Sequence, residues 1–209
     1  MIFIFSLYQN AADSPTRRVT GLQPDGFFLG GAGEDYFLIV SRLSAYKNID
    51  LAIKACNQLD LPLVVVGTGR EEGRLKAMAG KNVKFMNFVE DSELSKFYKN
   101  CKALIFPVSD EDFGIVPVEA MSFGKPVIAL RSGGVTETVV EGKTGVFFNQ
   151  PTVESLTAAI EQLNHLTIRP EDCIAQAAKF SKERFQQQFK SFVEEKLREF
   201  KNSSKIKPS

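Results

Sequence analysis

Ala103-Leu104-Ile105-Phe106, followed five residues later by Glu111-Asp112-Phe113-Gly114-Ile115-Val116-Pro117-Val118-Glu119, is the stretch that decides the fold. The first run is apolar, short and continuous, which reads as a buried strand. Val118-Glu119-Ala120-Met121 reads as helix, with a stop at Gly124-Lys125-Pro126. The order is therefore strand, loop, helix, strand. Glu111 falls in the loop at the strand's carboxyl end, and Glu119, eight positions on, falls a turn or more inside the helix. Ligands of open α/β sheets bind just outside the carboxyl ends of strands. Free amides near Gly114 open the helix and suit an anionic group. Carboxylates on both sides of an anion site suit a ligand with hydroxyls flanking a phosphate, as in a nucleotide sugar. Glutamates at this spacing also arise by chance as solvated helix-end carboxylates, so the rest of the chain has to carry the weight.

Outward from this stretch the pattern repeats. Tyr36-Phe37-Leu38-Ile39-Val40, Leu63-Val64-Val65-Val66, Val83-Lys84-Phe85-Met86, Val127-Ile128-Ala129-Leu130 and Gly145-Val146-Phe147-Phe148 are further apolar runs. Such runs mark strands covered on both faces. Between them, Ile49, Ala52, Ile53 and Leu59 show helical spacing, as do Leu75, Met78 and Ala79, and Leu94, Phe97 and Tyr98 behind a cap at Asp91 or Ser92. Alternating strands and helices predict an α/β fold: a Rossmann-like, doubly wound parallel sheet. Right-handed crossovers then place the loops along one edge.

Residues 1–33 are polar and rich in Gly, Pro and Asp after a seven-residue apolar start, Met1 to Leu7, and read as an irregular segment. That start is too short for a signal peptide or a bilayer span. The regular domain is expected over 34–168, C-terminal helices over 169–200 and a frayed tail over 201–209. Pro151-Thr152 starts a helix with Leu156, Ala159, Ile160 and Leu163 on one face, and His165 ends it. Beyond Pro170, Phe185, Phe189, Phe192, Val193, Leu197 and Phe200 recur at helical steps. The expected reading is an amphipathic helix packing its stripe on the core.

Composition narrows the function. An apolar fraction of 44% is that of an ordinary globular protein. A net charge of +1 gives no broad electrostatic case for nucleic acid. The chain has one histidine and three widely spaced cysteines, Cys56, Cys101 and Cys173, with no CxxC. That argues against zinc or a disulfide framework and for reduced thiols in a cytosolic protein.

Several loops converge on the predicted sheet edge. Arg42 and Lys47, after the first strand, provide a fork and a flexible ammonium able to grip a diphosphate. Such groups offset the charge growing on a departing diphosphate. Gly67-Thr68-Gly69 ends the second strand, where glycines let backbone approach a ligand closely. It lacks the full dinucleotide fingerprint. Phe88 and Val89 could frame a base. Ser132-Gly133-Gly134 places two glycines before a short helix.

Taken jointly, Ser41-Arg42-Leu43 with Lys47, Val66-Gly67-Thr68-Gly69, Glu111-Asp112-Phe113-Gly114, Glu119-Ala120-Met121 and Gly133-Gly134 resemble the donor half of family 4 glycosyltransferases, across Tyr36 to Leu163. The Glu111 to Glu119 tract is most similar to the mannosyltransferase-like branch that includes O-antigen and exopolysaccharide enzymes. The resemblance implies one half of a GT-B architecture. It implies that Arg42 and Lys47 bind the donor diphosphate, that Glu111 lies by the transferred sugar and acts in catalysis with them, and that Glu119 hydrogen-bonds the ribose. Phe113, Gly114, Ile115 and Val116 would hold sugar and phosphates through backbone, Phe88 and Val89 would sit beside the base, and Gly67 and Gly69 would complete the donor site. Retaining, metal-independent hexosyl transfer is implied, with no cofactor and with GDP-mannose or another NDP-hexose as substrate.

A full family member also carries an N-terminal domain that binds a saccharide or lipid-linked acceptor. Only residues 1–35 precede the first strand here, so this chain is expected to bind donor without full transfer activity, as a fragment or as the product of a truncated or split gene. The rival is a non-catalytic nucleotide-sugar-binding subunit that complements a separate acceptor-domain chain. A GT-B sugar-nucleotide epimerase ranks third. The implied location is cytoplasmic, peripheral at the inner membrane face in the intact enzyme. An isolated donor domain should expose apolar surface near its cleft and self-associate.

Overall fold

The computed structural model describes residues 36–203. The N-terminal segment 1–33, the Glu34-Asp35 boundary and residues 204–209 of the expected tail lie outside the described residues. Six parallel strands form one sheet in the order β3-β2-β1-β4-β5-β6. They are β1 (Phe37–Val40), β2 (Leu63–Val66), β3 (Val83–Met86), β4 (Ala103–Phe106), β5 (Val127–Leu130) and β6 (Gly145–Phe148). Each coincides with an apolar run read from the sequence. β1 is central: Phe37 lies opposite Leu63 on one side and Ala103 on the other.

Alternation along each strand feeds two separate cores. Phe37, Ile39, Val65, Ile105, Ile128 and Val146 pack on one face with α1 (Ile49–Gln58), α2 (Glu72–Met78) and α6 (Val153–Asn164). Leu38, Val64, Leu104, Ala129 and Phe147 pack on the other with α3 (Asp91–Asn100), α4 (Ile115–Ser122), α5 (Val135–Thr138) and α7 (Pro170–Ala178). Burying a side chain of this size contributes about 1.5–3 kcal/mol. Both faces are used, so the strands read as continuous apolar runs rather than as alternating ones. β3, at the sheet edge, is the exception: it includes Lys84 and is only half-buried after Val83.

The helix starts follow local chemistry in part. Thr152 Oγ1 accepts from Ser155 N at 3.2 Å and caps α6. Pro170 takes the first position of α7, where its missing N–H costs nothing. The side-chain cap expected at Asp91 or Ser92 is absent. Glu90 occupies the cap position of α3 and makes no capping bond.

The largest correction concerns α8 (Lys182–Ser203). Its apolar stripe was expected on the core, yet Phe189 is 57% exposed and Phe192 55%. Both sheet faces are already covered by shorter helices. Periodicity marks an amphipathic helix without saying what covers it. The helix also continues through Ser203, past the expected start of fraying at 201. The thiols are buried, and burial pushes Cys56 and Cys101 up to about 12 and Cys173 to about 11, far from reactive thiolates. Among the described residues no helix is long and apolar enough to cross a membrane.

Candidate active site

β1 and β4 are neighbours whose connections leave in opposite directions, so the sheet reverses its winding between them. A crevice opens at the carboxyl ends of strands at such a point. The loop after β1 ends in a single 3-10 turn, Ala45–Lys47, and Asn48 follows with φ 51°. Asparagine adopts this left-handed conformation more readily than most residues. Asn48 Nδ2 then donates across the crevice to Pro107 O at 3.1 Å and Ser109 Oγ at 3.0 Å. One residue earlier, the Lys47 ammonium is ion-paired with Glu111 Oε2. The pair is partly buried and ties the loop after β1 to the loop after β4 across the crevice.

The Glu111 loop is gripped from its other side by the loop after β5. Ser132 Oγ donates to Asp110 Oδ1 at 3.0 Å and accepts from Asp110 N at 3.1 Å. Gly134 N donates to Glu111 O at 2.8 Å. A Cβ at Gly133 would stand 2.4 Å from Glu111 O, and one at Gly134 2.3 Å from Asp112 O. Glycine is required because two backbones touch.

The same is true of Gly67 and Gly69, which corrects the sequence reading of that loop. The close approach they allow is made to the chain's own β1 loop: added Cβ atoms would lie 2.0 Å from Ser41 O and 2.2 Å from Leu43 O. Leu43 N donates to Thr68 O at 2.9 Å, and Glu71 N donates to Leu43 O at 3.1 Å. The β2 loop buttresses the loop that carries Arg42 and Lys47.

Gly114, with φ 74°, turns the chain into α4. The amides of Ile115 and Val116 open the helix beside a cavity of about 260 Å3, bounded by Ser41, Arg42 and Lys47 on one side and by Glu111 and Gly114 to Val116 on the other. Arg42 is exposed at its rim. A groove of about 520 Å3 runs along the β3 edge past Lys76, Phe85 and Phe97. It is larger, but the smaller cavity lies at the switch point and gathers both charges and the helix amides. Glu119 sits one helical turn past Ile115, on the same face of α4. Tyr98 Oη donates to Glu119 Oε2 at 2.8 Å. Burial pushes the Glu119 carboxyl above its ordinary value of 4.5, the Tyr98 hydrogen bond opposes this, and the charge of Asp91 adds to it.

Arg42, Lys47, Glu111, Gly114, Ile115 and Val116 thus meet around one cavity, with Glu119 behind them. Gly67, Gly69, Phe88, Val89 and Phe113 do not line it. Phe88 is 74% exposed beyond β3, two strands from β1, and Val89 is packed at the edge of the second core. The Phe113 ring packs edge-to-face on Phe180 at 5.7 Å. The sequence reading missed Asn48 and Tyr98 as site residues, and it placed Ser132 in a converging loop without giving its side chain a role. Asn48 follows Lys47 directly and could have been flagged as a turn residue, whereas the Tyr98 hydroxyl has no local signal.

A doubly wound sheet with cations, a carboxylate and helix amides at its switch point is an arrangement suited to an anionic ligand. Residues 30–180 match the family described as "Glycosyl transferases group 1", and the chain belongs to that family. The alpha-1,3/1,6-mannosyltransferase ALG2 of Dictyostelium discoideum is 36% identical over 155 residues, covering 61% of this chain and 37% of that protein. The sulfoquinovosyl transferase SQD2 of Arabidopsis thaliana is 31% identical over 131 residues, covering 60% and 26%. Among solved structures, Anabaena Alr3699/HepE in complex with UDP and glucose superposes with a TM-score of 0.67 at 25% identity, over 78% of this chain and 49% of that one. The chain thus matches less than half the length of each of these proteins. Its relatives are glycosyltransferases and its fold is that of GT-B enzymes.

Proposed function

We propose that residues 36–203 form the donor-binding half of a retaining, metal-independent hexosyltransferase, with mannose as the sugar moved from a nucleoside diphosphate to a saccharide or lipid-linked acceptor. The observation that carries this reading is the convergence of Lys47, Arg42 and Glu111 with the amino end of α4 on one cavity between β1 and β4. Lys47 and Arg42 bind the diphosphate, and the amides of Ile115 and Val116 take further phosphate oxygens. As the bond to the sugar breaks, negative charge grows on the leaving diphosphate, and these groups stabilise it without requiring a metal ion. Glu111 accepts hydroxyls of the hexose and Glu119 those of the ribose. Phe88 and Val89 lie by the base, and Gly67 and Gly69 act one step back by holding the β1 loop. GDP-mannose or another NDP-hexose is the substrate, and no cofactor takes part. The Anabaena relative seen with UDP and glucose supports a nucleotide sugar as ligand, and the mannosyltransferase relatives support mannose. We place the acceptor site on a further domain and the protein in the cytoplasm.

Calorimetric titration with GDP, UDP and ADP, on wild type and Glu119→Ala, tests the reading. One nucleotide should bind, and the substitution should weaken it. A folded chain that binds none of the three removes the proposal.

A further inference from the structure

We propose that Tyr98 is a positioning residue of this site: its buried hydroxyl holds Glu119 Oε2, so that Oε1 is presented to a hydroxyl of the bound nucleotide. The proposal rests on the donor-site reading of Glu119.

Tyr98 is fully buried, and its ring stacks on Phe123 with centroids 5.4 Å apart and planes 9° from parallel. A ring held in this way leaves its hydroxyl at a fixed point. That hydroxyl donates to Glu119 Oε2 at 2.8 Å, from α3 to α4. Among the described residues no hydrogen bond is made by Oε1. A glutamate side chain on its own has three rotatable bonds to order when a ligand arrives. One oxygen tethered to a rigid donor leaves the carboxylate little to lose, and such preorganisation appears as affinity. The hydrogen bond also favours the charged carboxylate against burial and the nearby charge of Asp91. An ionised Oε1 is the stronger acceptor for a ligand hydroxyl.

Nothing in this arrangement contributes an atom that reaches the ligand from Tyr98 itself. The role therefore shows as coupling between Tyr98 and Glu119, and between Tyr98 and a ligand hydroxyl.

The experiment titrates the full chain with ADP, GDP, CDP and UDP, then with the 2′-deoxy and 3′-deoxy forms of whichever binds. Tyr98→Phe keeps the stacked ring, and melting curves confirm that it folds. It is expected to weaken the ribonucleotide about threefold to tenfold, and to lose that effect on the analogue lacking the hydroxyl that Glu119 accepts. In a Glu119→Ala background, adding Tyr98→Phe should change nothing. Phe123→Leu, which removes the stack but not the hydroxyl, should give a smaller loss of the same kind. Equal weakening of ribo and both deoxy ligands, or a further loss in the Glu119→Ala background, marks a general structural role and overturns the proposal. So does a Tyr98→Phe chain that binds like wild type, and in that case the donor-site reading survives. A wild-type chain that binds none of the four nucleotides overturns both.

Discussion

Lys47 Nζ and Glu111 Oε2 form an ion pair across the switch point of the sheet, 64 residues apart in the chain. The lysine side chain is 12% exposed and the glutamate 31%. The cation assigned to the diphosphate is therefore already partnered by the carboxylate assigned to the sugar. On the proposed function, a diphosphate arriving in the cavity would compete with Glu111 for Lys47 and so release Glu111 towards the hexose.

Glu111→Gln removes that competition. The free nucleoside diphosphate should bind about threefold to tenfold more tightly, while the additional affinity conferred by the hexose falls. Stability should change by less than about 1 kcal/mol, because the pair is partly exposed. Titrations with diphosphate and with sugar nucleotide, side by side, check this. A variant that weakens both ligands equally contradicts the exchange of partners.

Glycines should be intolerant of substitution where a backbone faces the added Cβ and tolerant elsewhere. At Gly134 a Cβ would meet Asp112 O at 2.3 Å and Phe113 Cα at 2.6 Å. Gly134→Ala should cost about 1–3 kcal/mol and shift the loop that carries Glu111. Gly73, inside α2, has nothing within 4 Å of its added Cβ. Gly73→Ala should stabilise by about 0.5–1 kcal/mol. Urea unfolding of the two variants decides, and the reverse order would refute the packing described.

Stability and binding should oppose each other at Glu119. Its folded carboxyl is raised above 4.5, chiefly by burial. A raised acid favours the folded state most when protonated, so its contribution is full below the unfolded value and is lost as pH rises through the folded one. Glu119→Gln, which keeps an acceptor for Tyr98, should therefore raise the melting temperature at pH 7 and lose that advantage near pH 4. Its nucleotide affinity should fall. An unchanged difference in melting temperature across that range would show that the carboxyl titrates normally.

Serines at Phe189 and Phe192 test α8. Both rings are largely exposed, so the double substitution should move stability by no more than about 0.5 kcal/mol. It should also reduce concentration-dependent association in sedimentation, because the exposed stripe is the surface that would drive it. A loss of several kcal/mol would mean that the stripe packs on the domain after all.

Much of this protein was legible locally. Six apolar runs, each four residues long in the structure, stand where the sequence placed them, because a strand buried on both faces admits few polar residues. Glu111 in a loop and Glu119 inside a helix followed from Gly114 and the apolar run before it. Other features depend on pairs distant in sequence. No local pattern shows that Gly67 and Gly69 face Ser41 and Leu43 rather than a ligand, because a glycine's need for space is set by whichever backbone arrives opposite it. Tyr98 read as a core aromatic, and its hydroxyl acquired a role only when α3 was laid beside α4. The phenylalanines of α8 announced an amphipathic helix, but periodicity is a property of one element and burial a property of two. The sequence by itself determined the strands, the helices and the types of residue at their loops. Only the tertiary structure, by setting β1 beside β4, decided that Lys47 meets Glu111, because winding order in the sheet depends on the packing of both faces at once.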